Sequence, residues 1–115
     1  MKGIYHNSSS VNGKPSWTTN FQAIWMRGGM WYVGFLDNIG TNMAGLTSYH
    51  HTDNGCPFDI PSEQWTYFNG YIWDDAGPNE IKLKCLKGNL FLHHSHLFVL
   101  LGLENSVNEY PWCGI

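Results

Sequence analysis

Aromatic and β-branched residues recur along the first 85 positions in short runs broken by Gly, Asn and Pro, the pattern of strands joined by tight turns. Asn12-Gly13 precedes Lys14-Pro15-Ser16-Trp17-Thr18, and Gln22-Ala23-Ile24-Trp25-Met26 runs through Arg27-Gly28-Gly29 into Met30-Trp31-Tyr32-Val33-Gly34. These are hairpin signatures, because Gly and Asn accept the positive φ of a two-residue connection. Gly45 to Tyr49 predicts another strand. Trp65-Thr66-Tyr67-Phe68 and Tyr71-Ile72-Trp73 predict a second hairpin about Asn69-Gly70, and Glu80 to Cys85 a closing strand. Asp74-Asp75-Ala76-Gly77-Pro78-Asn79 has the residues of a solvated turn. The expected architecture is all-β, with six or seven short strands in a small antiparallel sheet folded into a sandwich or partial barrel and stapled by one disulfide.

From Leu90 to Leu103 the chain is nearly continuous apolar sequence interrupted by His93-His94-Ser95-His96, with no clear period. It is too short and too polar for a membrane-spanning helix. The expected organisation is an aromatic-rich β module over residues 3–85 and an apolar tail over 86–115, either a linker or sequence foreign to the module.

A chain of 115 residues holds one domain. Only 13% of residues are charged, against about a quarter in an average soluble domain, so Ser, Thr, Asn, Gly and aromatic rings must cover much of the exterior. The net charge of -3 provides no basic field for phosphate backbones, and nucleic acid is not an expected partner. A membrane span is not expected either.

Cys56, Cys85 and Cys113 show no C-x-x-C spacing, which leaves zinc-ribbon and thioredoxin-type readings without support. One disulfide with one leftover thiol fits this composition; three reduced, buried thiols are the alternative. Met1 to Tyr5 has no apolar leader segment, so an oxidised chain is expected to be a piece of a longer extracellular protein. Asn7-Ser8-Ser9 is a formal glycosylation acceptor expected on a polar loop.

The ordered set Asn12-Gly13-Lys14-Pro15-Ser16-Trp17, Ile24-Trp25, Trp31-Tyr32-Val33-Gly34, Gly45-Leu46-Thr47-Ser48, Cys56-Pro57, Trp65, Trp73 and Ile81-Lys82-Leu83-Lys84-Cys85 resembles a recurrent invertebrate extracellular module. That module begins N-G-[KR]-P-x-[YW], continues through a W-[WY]-[VI]-[GS] strand and a C-P step, and ends on [IV]-x-[VL]-x-C. It is found beside complement-control, growth-factor-like and lectin-like modules in secreted and cell-surface proteins, and carries no established activity. The resemblance covers residues 3–85. It implies a Cys56–Cys85 bridge, a first strand at Gly3 to Tyr5, neighbouring domains in a parent chain and an extracellular location. In the chain-entropy view such a bridge contributes roughly 3 to 4 kcal/mol.

Catalytic and metal signatures are sparse. His93, His94 and His96, and His50 and His51 with Asp53, have imidazole spacings that metals use, yet neither group has a complete ligand set nearby, and no metal or cofactor is expected. Asp74, Asp75 and Glu80 lack the spacing of a calcium loop. Ser48 beside His50 and His51, or Cys113 beside Trp112, lacks the flanking motif of a nucleophile, so the chain is not expected to be an enzyme. Tryptophan is more informative. Most of these rings are expected to fill a core short of volume, with Trp17, Trp31, Trp65 and Trp73 as the candidates to face a ligand. The sequence therefore leads to a non-enzymatic structural or interaction module with a protein or glycan partner, and alternatively to a carbohydrate-binding module using exposed Trp and Tyr side chains.

Overall fold

The computed structural model describes residues 2–48, 56–86 and 89–94. These form an antiparallel sheet of nine strands with no α-helix among them: β1 (Lys2–Val11), β2 (Lys14–Thr18), β3 (Gln22–Arg27), β4 (Met30–Phe35), β5 (Leu46–Thr47), β6 (Thr66–Phe68), β7 (Trp73–Asp75), β8 (Ile81–Leu86) and β9 (Asn89–His94). The order across the sheet is β7-β6-β5-β4-β3-β2-β1-β9-β8. Nine strands exceed the six or seven expected, and the strand not anticipated is β9, which lies beyond Cys85. The sheet does not stop at residue 85. Leu90 and Leu92 of β9 are fully buried, and β9 pairs with β1 on one side and β8 on the other. Residues 95–115 lie outside the described part of the chain.

The hairpin signals act locally. Asn12 (φ 54°) and Gly13 (φ 79°) occupy the left-handed region between Val11 and Lys14, so the turn twist matches that of the strands it joins. Gly28-Gly29 closes β3 onto β4 in the same manner. Asn69-Gly70 differs from expectation. The connection takes in Tyr71 and Ile72, whose backbone N–H groups both donate to Asn69 Oδ1, so β7 begins at Trp73 and carries Asp74 and Asp75 as strand residues. The following turn is confined to Gly77–Glu80, where Gly77 N–H donates to Glu80 Oε1 at 3.0 Å.

β1 is the bridge between the two parts of the sheet: Lys2 to Tyr5 pair with β9, and His6 onward pair with β2. Its polar stretch Asn7-Ser8-Ser9-Ser10 is strand rather than loop, since pairing on a sheet edge outweighs weak intrinsic preference. Asn7 is therefore an exposed strand residue opposite Trp17; its backbone N–H donates to Asn89 Oδ1, and its Nδ2 donates to the Ser16 carbonyl at 3.4 Å.

One face of the sheet builds the main core. Trp17, Ile24, Val33 and Leu46 form a cross-strand row over β2 to β5, all buried, joined by Tyr5, Met26, Trp31 and Trp65 and by Ile81, Leu83, Leu90 and Leu92 from the other part of the sheet. Trp17 and Trp31 pack as tilted rings 5.7 Å apart. The 3-10 turns Pro57–Asp59 and Ser62–Gln64 pack against β8, and Ser62 Oγ both donates to the Gly77 carbonyl and accepts from Ile81 N–H. Tyr5, sealed inside, donates its hydroxyl proton to Gln22 Oε1, and burial raises its pKa well above the usual phenol value.

The opposite face of β3 and β4 is covered too, by the segment 36–45. Trp25 stacks on Tyr32 (6.0 Å, 17°) with Ala23 beneath Leu36, Ile39 and Ala44, and Trp25 Nε1 donates to the Thr41 carbonyl at 2.8 Å. Here Gly34 is required by space, because a Cβ would lie 2.9 Å from Ala44 Cα. Gly34→Ala is expected to force this segment off the sheet at a cost of about 1 to 3 kcal/mol, read as a lower urea midpoint; an unchanged midpoint would show the segment to be loosely held.

Candidate functional site

The covering segment protects Trp25 but leaves the same face open from β4 to β7. A second cross-strand row runs there through Tyr32, Thr47, Thr66 and Asp75, each paired with the next. It floors a groove of about 550 Å³, walled by Met30 and Asn42 at one side and Trp73 at the other. Trp73 is 49% exposed and meets Phe68 as a tilted pair at 5.8 Å, which fixes the indole as a wall. Tyr32 is 9% exposed and stacks on Trp25.

The polar chemistry of the floor is directional. Thr47 Oγ1 donates to the Trp31 carbonyl at 3.0 Å, and Thr66 Oγ1 donates to the Thr47 carbonyl at 3.4 Å. Each hydroxyl thus spends its single proton on the sheet and retains only acceptor capacity. The Asp75 carboxylate is acceptor-only as well, and Asn42 adds an amide at the rim. A smaller depression of about 320 Å³ is lined by Phe35, Met43, Ala44 and Phe68 among others.

Three of the four candidate tryptophans are not at a surface. Trp17, Trp31 and Trp65 are buried in the core because they stand on the inner face of a sheet that has few aliphatic side chains to fill it. Trp65 Nε1 has no acceptor among the described residues. Trp73 alone of the four faces solvent, and sequence reasoning did not associate it with Tyr32, Thr47, Thr66 or Asp75, whose proximity depends on cross-strand register.

The carboxylates do not converge. Asp74 and Asp75 are adjacent in a strand and point to opposite faces, Asp74 Oδ2 accepts from Asn69 Nδ2 at 2.6 Å, and Glu80 is committed to Gly77. The Glu80 carboxylate, with burial and Asp74 adding to it, raises the Tyr67 pKa. Ser48 is fully buried with its Oγ accepting from Trp31 N–H at 2.7 Å. No group of three metal-ligating side chains occurs among the described residues; His50, His51, Asp53, His96 and Cys113 lie outside them, as do the side chains of His93 and His94.

Cys56 is buried and unbridged among the described residues where it leads into the turn Pro57–Asp59, and in the reduced chain the pKa of its thiol is pushed up to about 12 by burial first and the Asp59 carboxylate second. The folded value exceeds that of an unfolded thiol, so in the reduced chain this contribution to stability is whole below about pH 8.5 and declines as pH rises toward the folded value, a dependence a bridged Cys56 would not show. Cys85 stands on β8, the strand on which that turn packs; its side chain lies outside the described residues, and with it the expected pairing.

No protein-family profile matches the chain, and neither a curated protein nor a solved structure matches it.

Core and groove tryptophans separate in their energetics. Trp17→Ala is expected to cost about 3 to 5 kcal/mol, whereas Trp73→Ala should cost less than about 1 kcal/mol in the same denaturant titration. Equal losses would show Trp73 to be a structural residue and not a wall facing solvent.

Proposed function

We propose that this chain is a non-enzymatic binding module of a secreted or cell-surface protein and that the groove between β4 and β7 is its ligand face. The observation that carries this is Trp73, a large ring held half open by Phe68 over a hydrogen-bonding floor. Exposed tryptophans of this kind are the usual centres of binding surfaces, since a rigid ring loses little entropy on contact. The low charge and the resemblance to an extracellular module support the location. A sheet folded over into a sandwich or partial barrel is part of the same reading, supported by the main core to which both parts of the sheet contribute.

The experiment is binding of the fluorescently labelled chain to intact cell surfaces and extracellular matrix. Trp73→Ala should reduce saturable binding at least tenfold while Phe21→Ala, whose ring is exposed away from the groove, leaves it unchanged. Equal binding by wild type and Trp73→Ala would remove the groove from the reading.

Oxidation tests the compartment. A bridge between Cys56 and Cys85 belongs to the extracellular proposal, supported by the packing of the Cys56 turn on β8. Protein recovered from an oxidising compartment should gain the mass of two hydrogens on reduction; an unchanged mass would overturn the bridge.

A further inference from the structure

We infer that the ligand of this groove is a neutral saccharide, one sugar ring stacked on Trp73 and its hydroxyls donating to Thr47, Thr66 and Asp75. The inference rests on the reading of the groove as the ligand face and gives that ligand a chemical class. The floor selects for hydrogen-bond donors. Thr47 and Thr66 have turned their protons inward, and Asp75 has none to give, so any hydrogen bond between these three positions and a ligand is one that the ligand donates. An anionic ligand would meet the Asp75 carboxylate with no Lys or Arg among the lining residues.

The wall selects for a flat C–H face. A pyranose has that face and carries hydroxyl donors around its rim, so one molecule satisfies both surfaces. Reach also agrees. Thr47, Thr66 and Asp75 stand on adjacent strands, and two strand spacings make roughly 10 Å, room for a disaccharide across the floor. An organic cation would also meet the Asp75 carboxylate and the Trp73 ring, but it would leave the hydroxyl-accepting row without donors, and it is the competing ligand in the titration below.

The test is titration of the full chain, followed by isothermal calorimetry and tryptophan fluorescence, with cellobiose, lactose, chitobiose, mannobiose and xylobiose, and with tetramethylammonium as the cationic probe. At least one disaccharide should saturate with a Kd at or below about 1 mM. Trp73→Ala should weaken it at least tenfold, Trp73→Phe should restore most of the loss by keeping a stacking ring, and Asp75→Ala should weaken it severalfold. Phe21→Ala should leave it unchanged. No saturation by any disaccharide, saturation by tetramethylammonium instead, or sugar binding indifferent to Trp73→Ala would each overturn the inference. If sugars fail while Trp73→Ala still abolishes cell-surface binding, the saccharide is wrong and the groove stands as the ligand face; if both fail, the groove itself falls.

Discussion

Burial of the β3–β4 hairpin on both of its faces is the constraint from which the rest of the structure follows. On the inner side Ile24, Met26, Trp31 and Val33 belong to the main core, and on the outer side Ala23, Trp25 and Tyr32 need cover of their own. The segment 36–45 supplies that cover, anchored by Leu36 N–H on the Phe21 carbonyl and Gly45 N–H on the Val33 carbonyl. It can approach only because position 34 has no side chain. The groove is the remainder of the same face, open where this segment leaves the sheet beyond Asn42 and where β5, β6 and β7 continue it with Thr47, Thr66 and Asp75. Core and groove are thus the two sides of one sheet.

Much of this architecture is legible in residues that act on their immediate neighbours. Asn12-Gly13 and Gly28-Gly29 mark their hairpins because a positive φ is a local demand that few residues meet. The all-β character follows from the same short aromatic runs that occupy β2, β3 and β4. Where the structure departs from expectation, the decisive partner is remote in sequence. Asn7 to Ser10 look like loop until β2 is set beside them, and Leu90 to His94 look like tail until Lys2 to Tyr5 are.

Tryptophan placement shows the same division. Alternation along a strand separates inside from outside only when one face is wet, and β3 and β4 have no wet face, so Trp25 and Trp31 cannot be sorted by pattern. Trp73 is exposed for a reason absent from its own surroundings in the sequence, since the segment covering Trp25 does not extend to β7. The groove could have been anticipated in part from Thr47, Thr66 and Asp75, polar positions on three short strands. Their union depends on register, which no single stretch encodes.

The position of β9 has a consequence for how the chain is made. Lys2 pairs with His93 and Tyr5 with Leu90, so the earliest of the described strands to be synthesised waits for the latest of them before half of its pairing can form. The β1–β2 and β3–β4 hairpins can close during synthesis, whereas the β1–β9 seam cannot. Until then the emerging chain carries an unsatisfied strand edge with Tyr5 beside it, a template for pairing with another copy. The polar run Asn7 to Ser10 on that same strand keeps part of this edge soluble while it waits.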